Sequence, residues 1–275
     1  MKKTPVKTIQ LIANGDLRQA ANEYTWPFQK AMEKQLTAAV AKLGYKLVRA
    51  HPYKAKLKHG FIGSQKEGME VFSKIDPQTP IIVAEAVWQY SSHILHGLIS
   101  HIAPILTIAN WSGSAPGLVG MLNLNGSLTK AGVKYSTLWS KDFTDDFFLN
   151  NLSGWINTGA VKHTANHVKS LARSKVPPKA KAIAKKIADD LRQNKSIMGV
   201  FDEGCMGMYN AIIPDELLFP CGVYKERLSQ AALYYGATQV SDKEGKAVFK
   251  WLKDKGMQFR FGKDEENELT REQVL

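Results

Sequence analysis

Apolar and polar positions follow two periods along the first 140 residues. Short, nearly continuous apolar runs at Thr8 to Ala13, Tyr45 to Ala50, Ile81 to Val87, Ile105 to Ala109 and Tyr135 to Trp139 read as strands. Two of them are entered through a proline, Pro80 and Pro104, where no ladder donor is lost. Between the runs, apolar residues recur at helical spacing. Trp26 to Leu43 lines up Met32, Leu36, Ala39, Val40 and Leu43, and Glu67 to Ile75, Ser91 to Ile102 and Gly117 to Leu128 keep the same period. Strands apolar on both faces need cover on both sides. The alternation therefore predicts a doubly wound α/β domain, a parallel sheet of Rossmann or flavodoxin-like type.

Beyond this the pattern predicts helices across Thr144 to Ser174, then a basic helix opened by Pro177-Pro178. Ile197 to Phe201 reads as a strand beginning a second unit. Pro214 to Phe219, Val223 to Tyr235 and Asp242 to Lys255 read as helical, and Met257 to Phe261 as a strand. The expected division is an N-terminal α/β domain over 1–175 and a partial second α/β domain over 176–275. Thr270-Arg271-Glu272-Gln273 has the spacing of a capping box, which announces a helix. An isolated helix needs roughly 12–15 residues, so the expectation is a chain that stops inside a domain.

Composition narrows the classes. The 275 residues include 37 basic and 25 acidic side chains, for a net charge of +12. Much of the excess lies in Lys175, Lys179, Lys181, Lys185, Lys186, Arg192 and Lys195. Ala182, Ile183, Ile187 and Leu191 recur among them at helical spacing, so the lysines form the wet side of an amphipathic helix. The run has no aromatic residue to stack on a base, and nucleic-acid binding ranks last among the functions considered. No apolar run approaches the ~20 residues of a membrane span. No apolar block with a cleavage site follows Met1-Lys2-Lys3-Thr4-Pro5, and Cys205 and Cys221 are too few for a disulfide framework. A cytoplasmic chain that makes no membrane contact is expected.

In a doubly wound sheet, ligands bind beyond the carboxyl ends of the strands. Here those ends carry Asn14-Gly15-Asp16-Leu17-Arg18, Glu85 to Tyr90, and Asn110-Trp111-Ser112-Gly113. Indoles for the C–H face of a sugar, with amides and hydroxyls for its oxygens, suit a polyhydroxylated ligand. No GxGxxG turn or GxxxxGK[ST] loop competes, and Gly113-Ser114-Ala115-Pro116-Gly117 has alanine where a nucleophile elbow needs serine. His93 and His96, and His163 and His167, have helical spacings compatible with a shared metal, but no HExxH motif accompanies them. Asp202 and Glu203, after the strand ending at Phe201, are candidates for proton transfer or for holding a divalent cation. The two would need a turn to face one site, and a capping or ion-pair role competes.

Two blocks carry a family resemblance. Ala109-Asn110-Trp111-Ser112-Gly113 with Gly117 to Leu128 (GLVGMLNLNGSL), and Gly199 to Ala211 (GVFDEGCMGMYNA), resemble the first domain of proteins related to L-fucose and L-arabinose isomerases, in a fucose-isomerase-like branch. The resemblance runs over nearly all 275 residues. It implies a Rossmann-like first domain in a longer, oligomeric enzyme that interconverts aldoses and ketoses with a divalent ion, usually manganese. It also implies that a neighbouring subunit's first domain helps complete each site. Three sugar-contact positions carry over as Arg18, Trp88 and Met206. The family's metal ligands lie downstream of the matched region. The resemblance therefore implies the N-terminal portion of such an isomerase, homo-oligomeric, acting on an aldopentose or deoxyhexose and holding no Mn2+ by itself. A non-catalytic sugar-binding or regulatory module is the alternative reading.

Overall fold

The structure, a computed structural model, describes residues 7–86, 91–203, 208–262 and 269–274. The chain divides into two compact units, one of Met1–Lys185 with Gly204–Pro214, the other of Lys186–Glu203 with Asp215–Leu275.

The first unit alternates β1 (Thr8–Ile12), α1 (Gln19–Lys42), β2 (Lys46–Arg49), α2 (Gln65–Phe72), β3 (Ile81–Glu85), α3 (Leu95–Ile99), β4 (Ile105–Asn110), α4 (Leu118–Lys130), β5 (Ser136–Ser140) and α5 (Asp146–Thr158). The strands form one five-stranded sheet in the order β2-β1-β3-β4-β5, parallel throughout. This is the doubly wound fold. Side chains alternate across β3: Ile82 and Ala84 pack with Met32, Leu36 and Val40 of α1 and Phe148, Leu152 and Trp155 of α5. Ile81 and Val83 pack on the other face with Val71, Leu98, Leu124 and Leu128 of α2, α3 and α4. All five residues of β3 are buried, as a strand covered on both sides must be. Between β1 and β3 the strand order reverses direction, the switch point where such sheets open a crevice.

Several boundaries differ from the sequence expectation. The first long helix begins at Gln19 and runs through Pro27. Its early turns bury Asn22, Thr25 and Gln29, and polar residues on the inner face hide the helical period. The helix after Asp145 stops at Gly159, left-handed at φ 76°, a cap that glycine adopts without steric cost. Helix therefore does not continue to Ser174; only a single 3-10 turn, Leu171–Arg173, follows before α6 (Pro178–Asn194).

The second unit contains β6 (Ser196–Phe201), α7 (Asp215–Leu218), β7 (Val223–Leu228), α8 (Gln230–Thr238), α9 (Asp242–Asp254) and α10 (Arg271–Val274). The expected helix from Val223 is therefore corrected: β7 pairs parallel with β6, from Ser196↔Val223 to Phe201↔Leu228. The switch of period is tertiary. Strand geometry puts Lys225 and Arg227 on one side, where both meet Glu203 and Asp215. Met257 to Phe261 is not a strand either; Phe259 packs its ring 4.5 Å from Phe249 of α9. α10 opens with the capping box expected from the sequence: Thr270 N–H donates to Gln273 Oε1, and Gln273 N–H to Thr270 Oγ1.

Candidate functional site

At the carboxyl end of β1 the chain turns through Asn14-Gly15-Asp16. Glycine is required here by proximity: a Cβ on Gly15 would lie 2.6 Å from Phe61 Cβ and 2.8 Å from Asn22 Oδ1. Asn22 closes the turn, accepting from Asp16 N–H at 2.8 Å and donating to the Asp16 carbonyl at 2.8 Å. The Asp16 carboxylate then faces Arg18, whose Nε and Nη2 donate to its two oxygens at 2.8 Å each, with a third bond from Arg18 N–H. Burial by itself would raise the Asp16 carboxyl, but these bonds from Arg18, joined by the charges of Arg18 and His93, hold it below the ordinary aspartate value. A bidentate pair of this kind fixes the plane of the guanidinium.

Arg18 stands at the mouth of a cleft of about 420 Å³. Its walls are the start of α1 (Ala20, Ala21, Tyr24 and Thr25), Ala86 beyond β3, and Ser114-Ala115-Pro116 before α4. The size falls within the range of small-molecule sites. Arg18 is the single ionic side chain among these lining residues, and its charge is matched by Asp16. Helix α4 closes down on the same end of the sheet. A Cβ on Gly117 would sit 1.5 Å from the Glu85 carbonyl oxygen, so only glycine allows that approach.

Beneath the cleft a buried polar network ties three strand ends to α1. Gln29 donates to the Ala84 carbonyl (3.2 Å) and accepts from Ala86 N–H (2.9 Å). It also donates to Glu33, which accepts from Arg49 Nε at 2.9 Å. The Arg49 guanidinium lies over the Trp26 ring, 4.9 Å from its centroid. His51 accepts from Ala13 N–H at 3.0 Å. Burial, reinforced by the charges of Arg49 and Lys54, pushes its imidazole down to about 3, so it stays neutral and serves as a fixed acceptor. Sequence reasoning missed this network. Its one visible trace was the set of polar residues in the early turns of α1.

The expected site residues fare differently. Arg18 lies at the cleft. Trp88 and Met206 lie outside the described residues. Asp202, left-handed at φ 72°, begins the turn after β6 and accepts from Gln230 through Oδ2. Glu203 pairs with Lys225 and, at 2.8 Å, with Arg227, while Arg227 reaches Asp215 at 2.6 Å. Hydrogen bonds from Lys225 and Arg227 hold the Glu203 carboxyl below its ordinary value. In this arrangement Glu203 anchors β7, and the two acids are engaged by different partners.

Among the histidines, His101 Nε2 contacts the Thr79 carbonyl at 2.9 Å, and His163 stacks on Trp139 with ring centroids 5.2 Å apart. Among the described residues no three of His, Cys, Asp or Glu come together as a metal-ligand set. No helix among them is long and apolar enough to cross a membrane. A second cavity of about 430 Å³ lies at the ends of β4 and β5, between Trp111, Trp139 and the α4 residues Leu118, Met121 and Leu122. The lysines of α6 are exposed along a helix without an aromatic residue.

Comparison with known proteins adds no family assignment: no family model matches the chain, and no curated protein matches its sequence.

Proposed function

We propose that this chain is a sugar-binding α/β portion of an aldose–ketose isomerase of the L-fucose isomerase-like kind, binding a free aldopentose or deoxyhexose at the carboxyl end of its sheet. The observation that supports this reading most is the cleft between α1, Ala86 and Ser114–Pro116, with the Arg18–Asp16 pair at its mouth. Tyr24, two-thirds exposed there, offers an aromatic face to sugar C–H groups, and Ser114 offers a hydroxyl. Because Asp16 matches the Arg18 charge, a neutral sugar suits the cleft better than a sugar phosphate. Trp88 and Met206 join Arg18 as sugar contacts on the strength of the family resemblance.

The described residues do not form a manganese site. On this reading, the chain's own part in the reaction is to bind and orient the sugar in an oligomer. The second reading is a sugar-binding module without catalysis.

Titration calorimetry of L-fucose, D-arabinose and L-arabinose against the purified chain tests the first element. Saturable binding that weakens in Arg18→Ala is expected, with no gain for the phosphorylated sugars; heats that never saturate for any free sugar would end the proposal. Ketose formation with manganese, abolished by chelator, would separate the enzyme from the module and show that this chain holds a metal site after all.

A further inference from the structure

The positive charge of the chain is concentrated on one exposed stretch. From Lys162 to Ile187 the sequence places Lys162, Lys169, Arg173, Lys175, Lys179, Lys181, Lys185 and Lys186, and no aspartate or glutamate. Every residue from 162 to 187 is exposed. Apolar side chains stand in water among them: Leu171 is 84% exposed, Ile183 52% and Ile187 56%. Solvation accounts for the lysines of an amphipathic helix. It does not account for the isoleucines, whose side of such a helix is ordinarily covered.

Helical geometry orders the end of this stretch. At about 100° per residue, Ala180, Ile183, Ala184 and Ile187 of α6 fall within one stripe. Lys181 and Lys185 flank that stripe on one side, and Lys179 and Lys186 flank it on the other. The acids of the helix, Asp189 and Asp190, come only after these residues. There the helix is tied down. A Cβ on Gly222 would lie 2.1 Å from the Leu191 carbonyl oxygen, Ala188 and Leu191 are half-buried, and Asp189 pairs with Arg192 at 3.5 Å. The part of α6 before Ala188 therefore presents an apolar stripe between two rows of lysine, with no acid among them.

We propose that α6 rests on an anionic lipid surface, with Ile183 and Ile187 facing the acyl boundary and the flanking lysines reaching phosphate headgroups. Lysine stems are apolar and lie along such a boundary while their ammonium groups stay in the polar layer. A helix of this pattern lies in the plane of a bilayer. Crossing one is a different matter, and no described helix is long and apolar enough for it. The inference departs from the expected absence of membrane contact, which rested on the lack of a spanning run.

Other occupants fit less well. A second copy would bring another chain of charge +12 against this one. Nucleic acid would leave the isoleucines without a role, and the stretch holds no Trp, Tyr or Phe to stack on bases. A groove in an acidic protein takes large apolar anchors, whereas Ala180 and Ala184 make up half of this stripe. Attraction between lysines and a headgroup layer needs no matching shape.

The test is co-sedimentation of the full chain with phosphatidylcholine vesicles, with and without phosphatidylserine. Binding only to the phosphatidylserine vesicles is expected, weakening as salt is raised. A lysine near an anionic surface contributes about fivefold in affinity. Lys179→Gln/Lys181→Gln/Lys186→Gln should therefore bind about a hundredfold more weakly. Ile183→Asn/Ile187→Asn keeps every charge and should bind about tenfold more weakly, through lost apolar contact. All of these positions are exposed, so circular dichroism should match wild type in both variants. Equal sedimentation with and without phosphatidylserine would overturn the inference, as would wild-type affinity in the lysine variant. Wild-type affinity in the isoleucine variant, with tight binding of a DNA duplex, would reassign α6 to nucleic acid. None of these outcomes bears on the sugar reading.

Discussion

Replacing Glu85 by glutamine should flatten part of the pH dependence of stability. The carboxyl is fully buried and lacks a hydrogen-bond partner, and burial alone raises its pKa well above 4.5. Between the unfolded and folded values, the folded chain holds a proton that the unfolded chain has released. Raising the pH in that window therefore favours unfolding, with a slope near 1.4 kcal/mol per pH unit for one proton.

Glutamine has the same shape and no proton to lose. The wild-type-minus-variant difference in unfolding free energy should therefore fall as pH rises above the ordinary glutamate value. His51, His59, His93 and His101, all shifted down mainly by burial, act in the opposite sense. They stabilise the fold increasingly as pH rises through the ordinary histidine range, but they are common to both proteins and cancel in the difference. Urea titrations at pH 5, 6 and 7, followed by tryptophan fluorescence, give the numbers. Parallel stability curves for the two proteins would refute the reasoning, since they would mean that Glu85 is ionised or solvated in the fold.

Other perturbations probe the same frame. Gly117→Ala should destabilise the first unit by about 1–3 kcal/mol in denaturant titrations, because the added Cβ meets the Glu85 carbonyl; a neutral change would mean that α4 does not approach β3 so closely. Trp155→Ala removes a 2%-exposed indole from the face shared with α1, and a loss of about 3–5 kcal/mol is expected. Asp16 has a depressed pKa, so its contribution is present above the ordinary aspartate value and is lost as pH falls through the lower folded value. Asp16→Asn should therefore differ most from wild type near neutral pH and converge with it in acid, while weakening sugar binding by releasing Arg18.

Period and punctuation carried much of the fold. Ile81 to Glu85 and Ile105 to Ala109 are buried on both faces, and their largely apolar runs said so because side chains facing either helix layer are mostly apolar. Of the candidate site, the sequence marked the strand ends, where a cleft opens with Arg18 among its lining residues. Glu85 could have been noticed as an acid in an otherwise apolar run, yet nothing local shows that its carboxyl meets no partner. The same holds for Gln29, whose bonds to Ala84 and Ala86 join residues more than fifty positions apart.

Tertiary structure decided the rest, for identifiable reasons. Val223-Tyr224-Lys225-Glu226-Arg227-Leu228 reads acceptably in either period; pairing with β6 and the ion pairs of Lys225 and Arg227 select the strand. Glu203 looked like half of an acidic pair, and its partners across the chain make it an anchor. What the amino-acid order determined by itself was which stretches must be buried and at what period, because burial acts on each segment's own pattern. Which polar groups meet was settled only when strands distant in sequence were laid side by side.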